Sequence, residues 1–271
     1  MASVETYQPL ERGYPHLTGE LTVRAVERLS PRMARFVLEG PSLANLPDEQ
    51  PGEIITLIWP ANEGDALALP LPGWVQPDGA PEQHQRNYTI RSFDPGGPSI
   101  VVDFVLHGPH GRASAWAEKA QPGDVIGFAG PRLHYFPEPG AQWTLLAGDE
   151  TALPAIAATL ERLPEGQQVF ALIEVASAEE RQPIAARPPA LVTWIERDGE
   201  KPHESTRLLE AVRALELPDG PGKIWVAGES GVVRALREHI RNERGLTIGP
   251  LQAIGYWKHR ETPERVDDDL Y

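Results

Sequence analysis

The chain has 271 residues, 41% of them hydrophobic, and no cysteine. That length accommodates two domains of ordinary size, and the lack of cysteine excludes disulfides, thiolate metal sites, iron–sulfur clusters and thiol catalysis. A net charge of −14 makes nucleic acid and anionic lipid poor partners, so an anionic substrate needs a local basic pocket that works against the global field.

The N-terminus, Met1-Ala2-Ser3-Val4-Glu5, is polar and acidic, and there is no apolar run long enough to span a membrane. The expectation is a cytoplasmic chain with no membrane insertion. Alternating or β-branched runs predict strands over 21–26, 33–38 and 54–59. Residues 69–81, dense in Pro and Gly, predict a long loop inserted between strands. Further strands follow over 88–93, 99–105 and, after the turn signal Pro122-Gly123-Asp124, 125–128; a helix starts at about Ser114. Six short strands and one helix predict a small antiparallel barrel over residues 1–140.

From 141 to 271 the pattern changes. Apolar strands over 143–148, 169–173, 191–195, 224–229 and 251–254 alternate with helical spacing over 152–162, 208–215 and 232–241. Such alternation predicts a parallel sheet covered on both faces, with any ligand beyond the carboxyl ends of its strands. Gly148-Asp149-Glu150-Thr151 and Gly228-Glu229-Ser230 fall at such ends. Neither is the Gly-x-Gly-x-x-Gly fingerprint, which points to a variant of the dinucleotide fold. The acidic stretch 264–269 reads as a solvated helix end or tail.

The most chemically specific stretch is Arg86-Asn87-Tyr88-Thr89, then Val105-Leu106-His107-Gly108, then Gly111-Arg112-Ala113-Ser114-Ala115-Trp116. The planar donors of an arginine match a diphosphate. Tyr88 lies two residues on, on the same strand face, where an aromatic ring can pack on a flavin or a ribose. The Gly turn leading into a helix allows backbone N–H groups to approach an anion. Strand, strand, turn and helix in this order fit the parts of a flavin nucleotide.

With these motifs the chain resembles the siderophore-interacting protein family, flavin-dependent ferric-siderophore reductases of the ferredoxin–NADP reductase-like group. The resemblance runs from about 17 to about 260 and includes Arg86-Asn87-Tyr88-Thr89-Ile90-Arg91, Asp103-Phe104-Val105-Leu106-His107-Gly108, Gly130-Pro131-Arg132, Ala147-Gly148-Asp149-Glu150-Thr151-Ala152 and Gly255-Tyr256-Trp257-Lys258. It implies FAD, NADH or NADPH as donor, and a ferric siderophore as substrate reduced in the cytoplasm. A ferredoxin is a further possible donor, and a monomer is expected. Arg86, Ala113 and Ser114 are implied at the diphosphate, Tyr88 and Thr89 at the flavin ring, and His107 and Gly108 on the adenylate side. Asp103, Val105, Gly111 and Ala152 complete the implied cofactor site. Asp149, Thr151, Gly228, Glu229, Tyr256 and Trp257 are implied between flavin and nicotinamide. Trp116 is expected in the barrel core.

The family places basic residues around its anionic substrate at Arg132, at Lys258, and on the strand where this chain has Thr56. His134, His259 and Arg260 are candidates for the missing charge. No residue is expected to ligate the iron, and no metal-ligand spacing is present: His107 and His110 form the only close His pair. Glu174 suits a ribose hydroxyl and Arg181 a 2′-phosphate, which leaves NADH against NADPH open. Two other readings stand: a flavin electron-transfer enzyme with a flavin or protein acceptor, and a ferric-chelate carrier without activity.

Overall fold

The computed structural model describes residues 17–46, 52–72, 74–108, 111–135, 138–163, 166–186, 190–245 and 251–259. His110, Arg260 and the acidic stretch 264–269 lie outside the described residues.

Seven strands form one antiparallel sheet: β1 (Leu17–Ser30), β2 (Met33–Glu39), β3 (Glu53–Pro60), β4 (Gln83–Thr89), β5 (Ser92–Asp94), β6 (Ser99–Val105) and β7 (Val125–Leu133). Their order is β4-β3-β7-β1-β2-β6-β5. The two edge strands, β4 and β5, are consecutive in the chain, with only Ile90 and Arg91 between them. The Ile90 N–H donates to the Glu53 carbonyl on β3 at 2.9 Å, and the next N–H, of Arg91, donates to the Val101 carbonyl on β6 at 2.8 Å. Two successive peptides thus bond to opposite ends of the sheet and bring its two edge strands together at one corner, so that the sheet curls as a barrel does. The run 88–93 predicts one strand; the corner at Ile90 divides it, which is why the sheet has seven strands rather than six.

Alternate residues fill the barrel. Phe36, Leu57, Phe104 and Phe128 are fully buried in one cluster. The one α-helix among the described residues of this half, α1 (Arg112–Ala117), lays Trp116 on Phe36 and Phe104, with ring centroids 5.5 and 5.6 Å apart. Trp116 is half-buried and packs against the barrel core, as expected.

The second sheet comprises β8 (Trp143–Gly148), β9 (Gln168–Val175), β10 (Ala190–Glu196), β11 (Gly222–Glu229) and β12 (Leu251–Trp257), all pairs parallel, in the order β10-β9-β8-β11-β12. One face packs on α2 (Leu153–Leu160), and the other on α3 (Arg207–Ala214) and α4 (Ser230–Glu238). The chain winds outward from β8 to β10, then crosses to β11 on the other side of β8. That reversal is a topological switch point, and it opens a crevice beyond the carboxyl ends of β8 and β11.

The halves are fastened by long-range contacts. Arg91 donates two hydrogen bonds to the Glu161 carboxylate, at 2.6 and 2.5 Å. Ser30 donates to Glu180 at 2.5 Å, and the Trp225 indole N–H donates to the His134 carbonyl at 3.1 Å. Met33 of β2 is buried in the core of the parallel half. No helix of the described residues is long and apolar enough to cross a membrane.

Gly222, at the start of β11, supports the flat face of Trp143: a Cβ there would lie 2.0 Å from a ring carbon of that buried indole. Gly222→Ala is expected to destabilise the fold by about 2 kcal/mol, as overpacking does, measured by urea unfolding. An unchanged midpoint would mean that Trp143 packs elsewhere.

Candidate functional site

Strand alternation puts His84, Arg86 and Tyr88 on one face of β4. The Tyr88 ring packs on Phe104, with centroids 4.2 Å apart, and burial pushes its hydroxyl pKa up. Arg86 is exposed, and among the described residues its side chain donates only to the adjacent Gln85 carbonyl, at 2.7 Å. Arg112, at the start of α1, contacts the His84 ring nitrogen Nδ1 at 2.9 Å. Desolvation, then the neighbouring Arg112 and Arg86 cations, hold the His84 pKa below its ordinary value. Two guanidiniums, of Arg86 and Arg112, therefore lie near His84 on this strand.

The turn differs in detail from its sequence reading. The helix begins at Arg112, with Gly111 as its N-cap, so Ser114 is not the cap. The buried Ser114 hydroxyl accepts from the His107 N–H at 2.9 Å and ties the turn to β6. The exposed His107 ring lies over Gly111: a Cβ there would meet it at 1.9 Å unless the ring turned away. Gly108 adopts a positive φ of 83°, and its N–H donates to Glu118 at 3.1 Å. Ala113 packs against the barrel core. Asp103 and Val105 project from the β6 face opposite Phe104. Both oxygens of Asp103 are bound by Arg35, at 2.7 and 2.8 Å, beside a cavity of about 120 Å³ between the halves. Val105 packs on the core of the parallel half. Their side chains are therefore structural and face away from Tyr88.

In the parallel half, Asp149 gathers the strand ends. Its Oδ1 accepts from the Thr151 N–H at 2.9 Å and from the Thr151 hydroxyl at 2.5 Å. Its Oδ2 accepts from the Glu229 N–H at 3.0 Å and from the Trp257 indole N–H at 2.9 Å. One carboxylate thus joins the ends of β8, β11 and β12. Burial first, then the neighbouring Glu150 carboxylate, raises its pKa to about 6 against these hydrogen bonds. Gly228 makes room for it: its φ is 146°, and a Cβ would lie 2.7 Å from Asp149 Oδ2. Glu229 caps α4, accepting from the Gly231 and Val232 N–H groups at 2.5 and 3.1 Å. Asp149 and Glu150 make no side-chain cap to α2. Ala152 is buried under Gly148.

Tyr256 brings the halves together. Its hydroxyl is buried beside Thr89 and lacks a partner in hydrogen-bond geometry, and burial pushes its pKa up. Thr89 from the barrel, Tyr256 from β12 and Asp149 from β8 therefore meet at the switch-point crevice.

A buried ion cluster underlies this crevice and has no local sequence signature. Arg197 donates to Glu150 at 2.7 and 2.5 Å and to Glu174 at 3.3 Å. Glu174 also accepts from the Ser205 hydroxyl and the Leu208 N–H, at 3.0 and 3.1 Å. This corrects the reading of Glu174 as a ribose ligand: its carboxylate is buried and fully engaged. Arg181 pairs with Glu196.

Of the three substrate-side positions, Arg132 is half-buried. It donates to Asn87 Oδ1 at 2.9 Å and to Thr56 Oγ1 at 3.1 Å, and its guanidinium lies 4.5 Å from the Trp74 ring centroid. Thr56 is only 3% exposed and donates to Asn87 at 2.8 Å. It supports Arg132 from beneath, which corrects its reading as a pocket-wall residue. Lys258 is exposed. His134 supplies no replacement charge at neutral pH, because burial, then Arg132, lowers its pKa to about 4. The His259 ring stacks on His203, with centroids 3.5 Å apart. Among the described residues no cluster of metal-ligating side chains occurs.

Residues 22–135 match the siderophore-interacting FAD-binding domain, and residues 141–260 match the siderophore-interacting protein model. The chain belongs to the siderophore-interacting protein family. Over 271 aligned residues it is 31% identical to the ferric vibriobactin reductase of Vibrio cholerae, covering 97% of this chain and 96% of that one. It superposes on a siderophore utilization protein from T. fusca with a TM-score of 0.82 and 34% identity, covering 93% and 97% of the two chains. A ferredoxin NADP+ reductase from Neisseria gonorrhoeae, 14% identical with a TM-score of 0.57 over 89% of this chain and 99% of that one, shares the fold.

This family member has residues that fit FAD. Arg86 offers a guanidinium with no carboxylate on it among the described residues. Gly108 leaves the turn open, with nothing within 4 Å of its Cβ position, and among the described residues the Tyr256 hydroxyl is a buried group between the halves without a hydrogen-bond partner.

The raised pKa of Asp149 has a sign that can be tested. Its ordinary value is 3.8 and its folded value about 6, so its contribution to stability is fully present below about pH 4 and is lost as pH rises through about 6. The difference in unfolding free energy between the parent and Asp149→Asn is expected to shift against the parent across that window. The opposite slope would show that the carboxylate is stabilised as the anion.

Proposed function

We propose that this protein is a reductase that passes electrons from NADH or NADPH to the iron of a ferric siderophore and releases ferrous iron in the cytoplasm. The observation that carries the reading is the meeting of Thr89 and Tyr256, which sets the end of the strand that bears Arg86 and Tyr88 against the ends of a parallel sheet. A relative named for ferric vibriobactin reduction, alignable end to end, supports it.

Each residue then has a task. Arg86 holds the diphosphate with charge-assisted hydrogen bonds, and the open turn at Gly108 lets backbone approach it. Tyr88 and Thr89 orient the ring system. The crevice beyond Gly148 and Gly228 receives the nicotinamide, and Asp149 fixes the segment from Tyr256 to Trp257 that closes it. Reduced nicotinamide gives up two electrons and ferric iron accepts one; FAD, when bound, supplies that conversion. Arg132 and Lys258 draw in an anionic chelate, and the chelator's own oxygens hold the iron, so no protein ligand is required. Ferrous iron is held less tightly by those oxygens and leaves. We take the chain to act as a monomer, with its two domains divided near residue 140 and no ferredoxin required.

Arg86→Ala is expected to weaken FAD retention ten- to a hundredfold, the equivalent of about 1.5–3 kcal/mol for a charge-assisted contact. Equilibrium dialysis of the flavin measures it, and unchanged retention would remove Arg86 from the site. Replacing Arg132 and Lys258 together with Ala should raise KM for an anionic ferric siderophore, with a steep salt dependence in the parent. Flavin reduction by nicotinamide should be unaffected. Equal kinetics for parent and double variant would mean that the chelate binds elsewhere.

A further inference from the structure

Arg112 has no task in the electron path described above. It is exposed at the start of α1, and among the described residues the His84 ring is its one polar partner: its Nη1 contacts both ring nitrogens, Nδ1 at 2.9 Å. His84 lies on β4 two residues before Arg86 and four before Tyr88, so strand alternation puts all three on one face.

Desolvation first, then Arg112, keeps the His84 pKa below its ordinary value, although the Glu82 carboxylate pulls the other way. The ring is therefore neutral at pH 7. A neutral imidazole can accept from a guanidinium, but it cannot cancel the charge. Among the described residues no carboxylate pairs with Arg112 or with Arg86. Acidic residues outnumber Lys and Arg by 39 to 25 in this chain, so two arginines left without a carboxylate beside one histidine leave room for an anion.

The order along β4 indicates how that anion lies. Tyr88, Arg86 and His84 follow one another in steps of two residues, roughly 6.7 Å each along a strand. With Tyr88 at the flavin ring and Arg86 at a phosphate, the guanidinium held at His84 stands one step further from the ring. A flavin dinucleotide runs the same way, from ring through ribityl chain and two phosphates to adenosine.

We infer that Arg112 is a second anchor for the diphosphate. It takes the phosphate on the adenosine side, Arg86 takes the one on the flavin side, and His84 is the positioning residue that holds Arg112 against the strand. The inference rests on the FAD reading of the site and adds these two residues and the division of the charge between the arginines.

The test is equilibrium dialysis of FAD and, separately, of FMN against the full chain stripped of flavin, with thermal melts to establish that each variant is folded. FMN ends at the first phosphate, so it lacks what Arg112 holds. The parent is expected to hold FAD more tightly than FMN. Arg112→Ala should weaken FAD about tenfold, the loss of one charge-assisted contact, and FMN by less than about twofold. Arg86→Ala should weaken both. His84→Ala should reproduce the FAD loss of Arg112→Ala and add nothing to it in the double variant, because the two act as a unit. His84→Gln, which keeps an acceptor, should retain most of the affinity. Equal loss of FAD and FMN in Arg112→Ala, no change in either, or a parent that holds FMN as tightly as FAD would overturn the second anchor. His84→Ala without effect, or with a loss that adds to that of Arg112→Ala, would overturn the role of His84. A parent that binds neither flavin would overturn the FAD reading together with this inference.

Discussion

One buried carboxylate holds the crevice together. Asp149 lies where the chain leaves β8, and it accepts hydrogen bonds from the ends of β11 and β12 as well as from its own turn. Parallel strands end with unpaired peptide groups, and at a switch point these ends must be spaced apart to admit a ligand. Asp149 spaces them with fixed bonds instead of packing. The missing Cβ of Gly228 is what makes that placement possible. Because Trp257 is one of its donors, the same carboxylate positions Tyr256, and through Tyr256 the contact with Thr89. The cost is a desolvated anion next to Glu150, which shows in its raised pKa.

The barrel solves a different problem. Its sheet has two edge strands, and Ile90 and Arg91 join them at one corner by bonding in opposite directions. That corner also sets the face proposed for the cofactor. Arg86 and Tyr88 precede it on one side of β4, and Thr89 is turned toward the parallel half. Arg91, just past the corner, then anchors the barrel to Glu161 at the end of α2. Closure of the sheet and attachment of the two halves are thus performed by neighbouring residues.

Much of this was legible in the sequence because it is periodic. The strands and helices fall where alternation and helical spacing place them, and the pairing of Arg86 with Tyr88 on one face follows from a period of two. What failed to show was long-range. Glu174 reads as a free acid at a strand end, but Arg197, Ser205 and Leu208 satisfy it from 23 to 34 residues away. Thr56 reads as a pocket residue, but β3 is buried along nearly all of its length, so its alternation does not tell a wall from a floor. The division of 88–93 into two strands depends on barrel closure, which no local pattern encodes. Trp74 carried no signal at all until its loop folded back over Arg132.

The proposed electron path from nicotinamide to chelated iron is tested most directly by anaerobic absorption spectroscopy of the FAD-loaded protein. The account predicts that NADH or NADPH alone removes the visible absorption of the oxidised flavin. It predicts further that a ferric siderophore restores that absorption, with ferrous iron trapped by a colorimetric chelator at two per nicotinamide oxidised. Flavin that stays oxidised with both nucleotides, or stays reduced in the presence of the ferric chelate, would contradict it.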